Sequence, residues 1–183
     1  MQNQVFIHDH WFDLYLPAAE IQSRVSDLGR QITKEYAGKR PLFLVVLNGA
    51  FVFAADLVRA CDLECELAFI QLSSYRGFAS SGKVETLLGL NQPLKDRAII
   101  IVEDIIDTGN TMSVLLPDLQ KLQPESIAIA ALLLKPDCLL HPLTIEYLGF
   151  EIPDRFVIGY GLDYDGLARN LADIYQIRKD PAL

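Results

Sequence analysis

The chain has little positive charge, few cysteines and no long apolar run, and each shortage closes off a class of function. Sixteen Lys and Arg stand against 24 Asp and Glu, a net charge of −8 over 183 residues. Such an acidic surface repels nucleic acid and anionic membrane, so neither is expected as a partner. The three cysteines, Cys61, Cys65 and Cys138, are odd in number and too sparse for a disulfide framework. The opening residues, MQNQVFIHDHWFDLYL, lack the basic and apolar pattern of a secretory leader. Both features lead us to expect a cytoplasmic protein with reduced thiols. No apolar stretch reaches the ~18 residues of a spanning helix. There is no internal repeat, no low-complexity tract and no G-x-S-x-G elbow of a serine hydrolase. Gly77–Lys83 (GFASSGK) has the spacing of a phosphate-binding P-loop. Val84 stands where that motif needs Ser or Thr, and the VETLLGL that follows is too short and β-rich for its helix, so a nucleoside-triphosphatase is excluded.

What is present alternates between two periodicities. Residues 17–37 read as an amphipathic helix, with Ile21, Val25, Leu28, Ile32 and Tyr36 at spacings of three or four, Pro17 at the start and Gly38 at the stop. Leu42–Leu47 is continuously apolar, as a strand buried on both faces should be. Phe51–Ala60 reads as a helix, Leu67–Leu72 as a strand, Ala98–Glu103 as a central strand and Thr111–Leu122 as a helix. Pro117 should kink that helix or delay its start. Ser126–Leu134, Ile145–Phe150 and Phe156–Tyr160 complete the strands, and Val84–Leu90 is either a strand or a loop flank. Strands alternating with helices predict an α/β fold, a parallel twisted sheet flanked by helices. The N-terminal segment and the residues after about 151 should form a small lobe above the strand ends.

The densest chemistry is in Ala98–Thr111 (AIIIVEDIIDTGNT). Five apolar residues run into Glu103 and Asp104. Asp107 then opens the polar turn Asp107-Thr108-Gly109-Asn110-Thr111, and a helical pattern follows. Carboxylates at a strand end are commonly just solvated, and Asp107 could simply cap its turn. Together, however, these residues sit where ligands of open α/β sheets bind. Glycine permits close backbone approach, and a helix start attracts an anion such as phosphate. Carboxylates beside that anion need a hydroxyl donor or a divalent cation between them.

Glu103-Asp104-Ile105-Ile106-Asp107-Thr108-Gly109-Asn110-Thr111 resembles the phosphoribosyl-pyrophosphate motif of the type I phosphoribosyltransferases, in its hypoxanthine (hypoxanthine-guanine) branch. The resemblance runs from about Leu42 to Arg169, through Leu47-Asn48-Gly49-Ala50, Ser74-Tyr75, Lys135 and Phe150–Asp165. It implies one domain over residues 1–183, with a core of about 38–150 and a hood from the N-terminal segment and about 151–183. It further implies transfer of a phosphoribosyl group from 5-phosphoribosyl-1-pyrophosphate to N9 of a 6-oxopurine (hypoxanthine, and also guanine), with Mg²⁺ as cofactor.

Residue roles follow from the same resemblance. Glu103 and Asp104 would hold the ribose hydroxyls, and Asp107 to Thr111 (with Thr108, Gly109 and Asn110) the 5′-phosphate. Asp107 would also be the general acid/base at N7. Asn48, Gly49 and Arg169 would bind pyrophosphate, and a cis peptide would fall at Leu47–Asn48. Family members often carry lysine at the position of Asn48 and glycine at that of Ala50, so this loop has lost a charge. Lys135 would face the purine O6, where a pure donor suits a carbonyl and opposes an amino group. Phe156 would stack on the base, the Val157 backbone would read its edge, and Asp163 would lie by the base and the metal. Glu103, Asp104 and Asp163 would be the metal's protein ligands, and Ser74 and Tyr75 a lid that excludes water. A homodimer or homotetramer is implied as well. Lys135 treats hypoxanthine, guanine and xanthine alike, so a xanthine or other nucleobase enzyme stays open. A nucleotide-sensing RNA-binding regulator on the same fold is the reading from another class, and the net charge opposes it. Asn48 alone favours a non-catalytic relative.

Overall fold

The computed structural model of the protein describes residues 3–73, 85–86 and 93–178. In chain order the strands and α-helices are β1 Gln4–Ile7, β2 His10–Leu16, α1 Ala18–Glu35, β3 Leu42–Leu47, α2 Phe51–Ala60, β4 Glu66–Ser73, β5 Glu85–Thr86, β6 Ala98–Ile106, α3 Asn110–Lys121, β7 Ser126–Leu134, β8 Tyr147–Glu151, β9 Val157–Ile158 and β10 Ile174–Ile177. The main sheet has the order β5-β4-β3-β6-β7-β8. Every pairing in it is parallel except the short β5 on β4. This is the α/β sheet expected from the sequence.

The continuous apolar strands divide their residues between two layers because successive side chains point to opposite faces. Phe43 and Val45 of β3, and Ile100 and Val102 of β6, pack with α1 and α2. Leu42, Leu44, Val46, Ile99 and Ile101 pack on the other face with Met112, Leu115 and Leu119 of α3. A second sheet, β1-β2-β10-β9, joins the early and late segments. Its own core holds Val5, Phe12, Ile158 and Tyr175. The Asp173 side chain ties the two layers, accepting the N–H of Ala18 (2.7 Å) at the start of α1, which no capping side chain of its own serves.

Three expectations are corrected. The central strand does not stop at Glu103 but continues to Ile106, because β7 stays beside it and pairs Ile105 with Leu133 and Ile106 with Leu134. Pro117 does not delay α3, which starts at Asn110 and carries the proline inside it; the residue lies on the exposed face of the helix. The late strand is only Val157–Ile158, since the chain turns at Gly159 with φ of 98°. The Ser73–Lys83 loop beyond Ser73, the Gly77–Lys83 motif, the lid pair Ser74 and Tyr75, and all of Val84–Leu90 but Glu85–Thr86 lie outside the described residues. No helix of the described residues is long and apolar enough to cross a membrane.

Candidate active site

The carboxyl ends of β3, β6 and β7 converge on one cleft beneath the second sheet. The extension of β6 changes how its two carboxylates are used. Inside a strand, neighbours face opposite ways, so Glu103 and Asp104 reach from different sides into two adjoining hollows that share Ile105 and Asp107. Glu103 borders a hollow of about 310 Å³ with Ile105–Met112. Asp104 lines a wider cleft of about 580 Å³ with Asp107, Lys135, Arg155, Phe156, Val157 and Asp163.

Glu103 is 8% exposed, and its Oε2 is buried without a hydrogen-bond partner. A buried carboxylate oxygen in that state costs free energy until a ligand reaches it. Burial, with the Asp104 charge adding to it, pushes the Glu103 carboxyl well above its usual range. Burial likewise raises Asp104, to about 6, against backbone N–H donors and the Arg169 charge that lower it. Next to Glu103, Gly109 precedes α3 with φ of 78°, a left-handed backbone that glycine accepts readily. Gly109 has no side chain with which to cap α3, and the Thr108 hydroxyl meets Asn110 N–H at 3.4 Å; the other first N–H groups, with the Thr108 and Thr111 side chains, form a cradle for an anion. The segment after β7 braces this turn: Leu140 N–H donates to the Thr108 carbonyl (3.0 Å), and a ring nitrogen of His141 lies 3.0 Å from the Asn110 side-chain oxygen.

On the other side of Asp104 lies the Asn48–Gly49 turn, with Leu47–Asn48 cis as the resemblance implies. A side chain at Gly49 would overlap the Asp104 carboxylate, and one at Gly161 the Gly49 carbonyl. The 159–169 hairpin therefore rests on this turn and delivers Arg169 to it. Arg169 donates to the Gly161 carbonyl (2.7 Å) and pairs with Asp163 (2.6 Å). Asp163 also accepts the N–H of Gly166 (2.7 Å). Both Asp163 oxygens are thus engaged, and the structure does not bring Glu103, Asp104 and Asp163 together as a three-ligand cage; among the described residues no such group of His, Cys, Asp or Glu exists.

Lys135 is 7% exposed, one of the few buried charges. Its ammonium pairs with Asp107 and with Asp154, 3.1 Å each. Burial alone would lower its pKa; the two carboxylates outweigh it and hold the group above its ordinary value. The Phe156 ring, 45% exposed, lines the cleft and stands in a T-shaped contact with Tyr164 at 5.6 Å. The sequence assigns no role to Asp154, Arg155 or His141. The first two lie within Phe150–Asp165, the last stretch of the resemblance, and that position is the signal they carry. Nothing in the sequence pointed to His141.

Comparison with known proteins agrees with this geometry. The phosphoribosyl transferase domain model matches residues 15–165. The hypoxanthine phosphoribosyltransferase of Escherichia coli K12 is 39% identical over 171 residues, covering 92% of this chain and 96% of that protein. The hypoxanthine-guanine phosphoribosyltransferase of Mycobacterium avium is 42% identical over 166 residues, 87% of this chain and 82% of its own. A crystal structure of the Bacillus anthracis hypoxanthine-guanine enzyme, with HEPES in its active site, superposes with a TM-score of 0.85 at 35% identity, covering 91% of this chain and 97% of that one.

Proposed function

This chain belongs to the phosphoribosyl transferase family, and from that membership we propose how its residues divide the work. It is an enzyme of purine salvage that transfers phosphoribose from 5-phosphoribosyl-1-pyrophosphate to a purine base. We assign a 6-oxopurine as the base, hypoxanthine and also guanine. The observation that carries this choice is the buried Lys135 ammonium lining the base cleft. A group that only donates satisfies a carbonyl oxygen, and against a 6-amino group it leaves two donors opposed and desolvated.

In this reading the start of α3 and the turn from Asp107 to Thr111 take the 5′-phosphate. Glu103 and Asp104 accept hydrogen bonds from the ribose hydroxyls; the orphaned Glu103 oxygen supports this, since a hydroxyl donor relieves it. The Phe156 ring stacks on the base and the Val157 backbone reads its edge. N9 attacks C1 of the ribose as the bond from C1 to the pyrophosphate oxygen breaks, and Asp107 takes the displaced proton at N7. Asn48, Gly49 and Arg169 receive the pyrophosphate. Most of the acceleration comes from positioning and preorganised charge.

The donor set also suits Mg²⁺. Hard carboxylate oxygens at Glu103 and Asp104 are its preferred protein ligands, and one or two of them suffice when phosphates and waters complete the shell. Asp163 joins them only through an oxygen that Arg169 or the Gly166 N–H now holds. When bound, the cation offsets charge on the pyrophosphate. Ser74 and Tyr75 serve as the lid, the domain spans 1–183, and the setting is cytoplasmic. A homodimer or homotetramer has apolar surface to use: Leu67 and Phe69 share one face of β4 and are exposed, as is Phe51 of α2. Pyrophosphate release measured with Mg²⁺ and hypoxanthine, guanine, xanthine or adenine tests the reading. Turnover of adenine in preference to the oxopurines would contradict it.

A further inference from the structure

We propose that Asp154 is a positioning residue for base recognition: it draws the Lys135 ammonium away from Asp107 and keeps it presented to the purine. The inference rests on the functional reading above and deepens it.

The convergence is a product of backbone register. Lys135 N–H donates to the Ile106 carbonyl (2.9 Å), and Ile152 N–H donates to the Leu134 carbonyl (2.8 Å). These two bonds stagger three successive strand ends, so Asp107, Lys135 and Asp154 meet just beyond them. The lysine backbone is pinned a second time, since its carbonyl accepts Cys138 N–H (3.1 Å). Only the side chain of Lys135 is then free to choose where the ammonium rests. With Asp107 as its only anion, the ammonium would close into a one-to-one pair with the group that must handle the N7 proton. Neither partner would be well placed for the base. A second carboxylate, equally close at 3.1 Å, splits that pairing. One N–H goes to each carboxylate, and the third, of the three an ammonium has, is left for O6. Charge balance points the same way. When Asp107 accepts a proton, its negative charge is lost, and Asp154 still compensates the buried cation.

Asp154 itself is 73% exposed, and an ion pair with so exposed a partner contributes little to folding. Its value must then show in recognition, and a double-mutant cycle isolates that term. The measurement is pyrophosphate release by the full chain, with hypoxanthine and donor varied separately, for the unaltered protein, D154A, D154E, K135A and K135A/D154A. D154A should raise the KM for hypoxanthine about five- to tenfold, the scale of one charge-assisted contact discounted for exposure. It should leave kcat and the donor KM within about twofold and the melting temperature within about 2 °C. D154E should recover most of the loss. In the K135A background, removing Asp154 should change nothing further. Unchanged hypoxanthine KM in D154A, or the same loss in both backgrounds, overturns the proposal while the enzyme reading stands. No turnover of any oxopurine by the unaltered protein sinks both.

Discussion

Lys135 and Asp104 are both charged groups held where water is scarce, and each has a measurable consequence. Lys135→Ala removes the O6 donor, so the KM for hypoxanthine should rise by roughly ten- to a hundredfold. Donor binding, followed by calorimetry with 5-phosphoribosyl-1-pyrophosphate and Mg²⁺, should stay within about threefold. Equal loss of both would contradict the assignment. Asp104 acts on stability. Burial raises its carboxyl from 3.8 to about 6, so between those values the folded chain binds more protons than the unfolded one. The contribution is fully present below about pH 4 and is lost as pH rises through about 6. Free Asp104→Asn protein should therefore be the more stable at pH 7.5, by about 3 kcal/mol, and should match the unaltered protein near pH 4. Urea titrations at the two pH values check this.

Elements carry a different kind of strain. Pro117 sits inside α3 on its exposed face and cannot donate to the carbonyl four residues earlier. Pro117→Ala restores that bond, so the melting temperature should rise by about 2–4 °C, the shift that roughly 1 kcal/mol gives in a chain of this size. Scanning calorimetry would show it, and a fall would mean the proline was relieving crowding instead. The elements also show what the sequence could convey. Periodicity located β3, α2 and β7 to the residue, because apolar runs bounded by Gly, Pro or polar turns admit few other readings. It misplaced the end of β6, because Glu103 looks like a stop signal. Only the pairing with β7 reveals that the strand continues and that Glu103 and Asp104 face opposite ways. The phosphate turn was legible from Asp107-Thr108-Gly109 alone. Asp154 was not, since its meaning comes from the register of three strands distant in sequence.

At the scale of the whole molecule, the excess of acidic residues opposes a substrate that is itself polyanionic. Asn48 adds nothing to offset this at the exposed turn meant for pyrophosphate. At fixed Mg²⁺, kcat/KM for the donor should therefore rise about two- to threefold as added salt goes from roughly 20 to 200 mM, since salt screens long-range repulsion. Asn48→Lys should lower the donor KM and flatten that dependence; steady-state kinetics across the salt series checks both. A decline with salt would place the governing charge at the site rather than over the surface. The second sheet has a bearing on how the protein is made. The cradle for the sugar phosphate is complete once β7 and the segment through His141 have left the ribosome. The wall behind Phe156 waits for β10, because β2 and β9 meet only through it. During synthesis the molecule thus acquires its grip on the activated sugar well before it acquires its grip on the base.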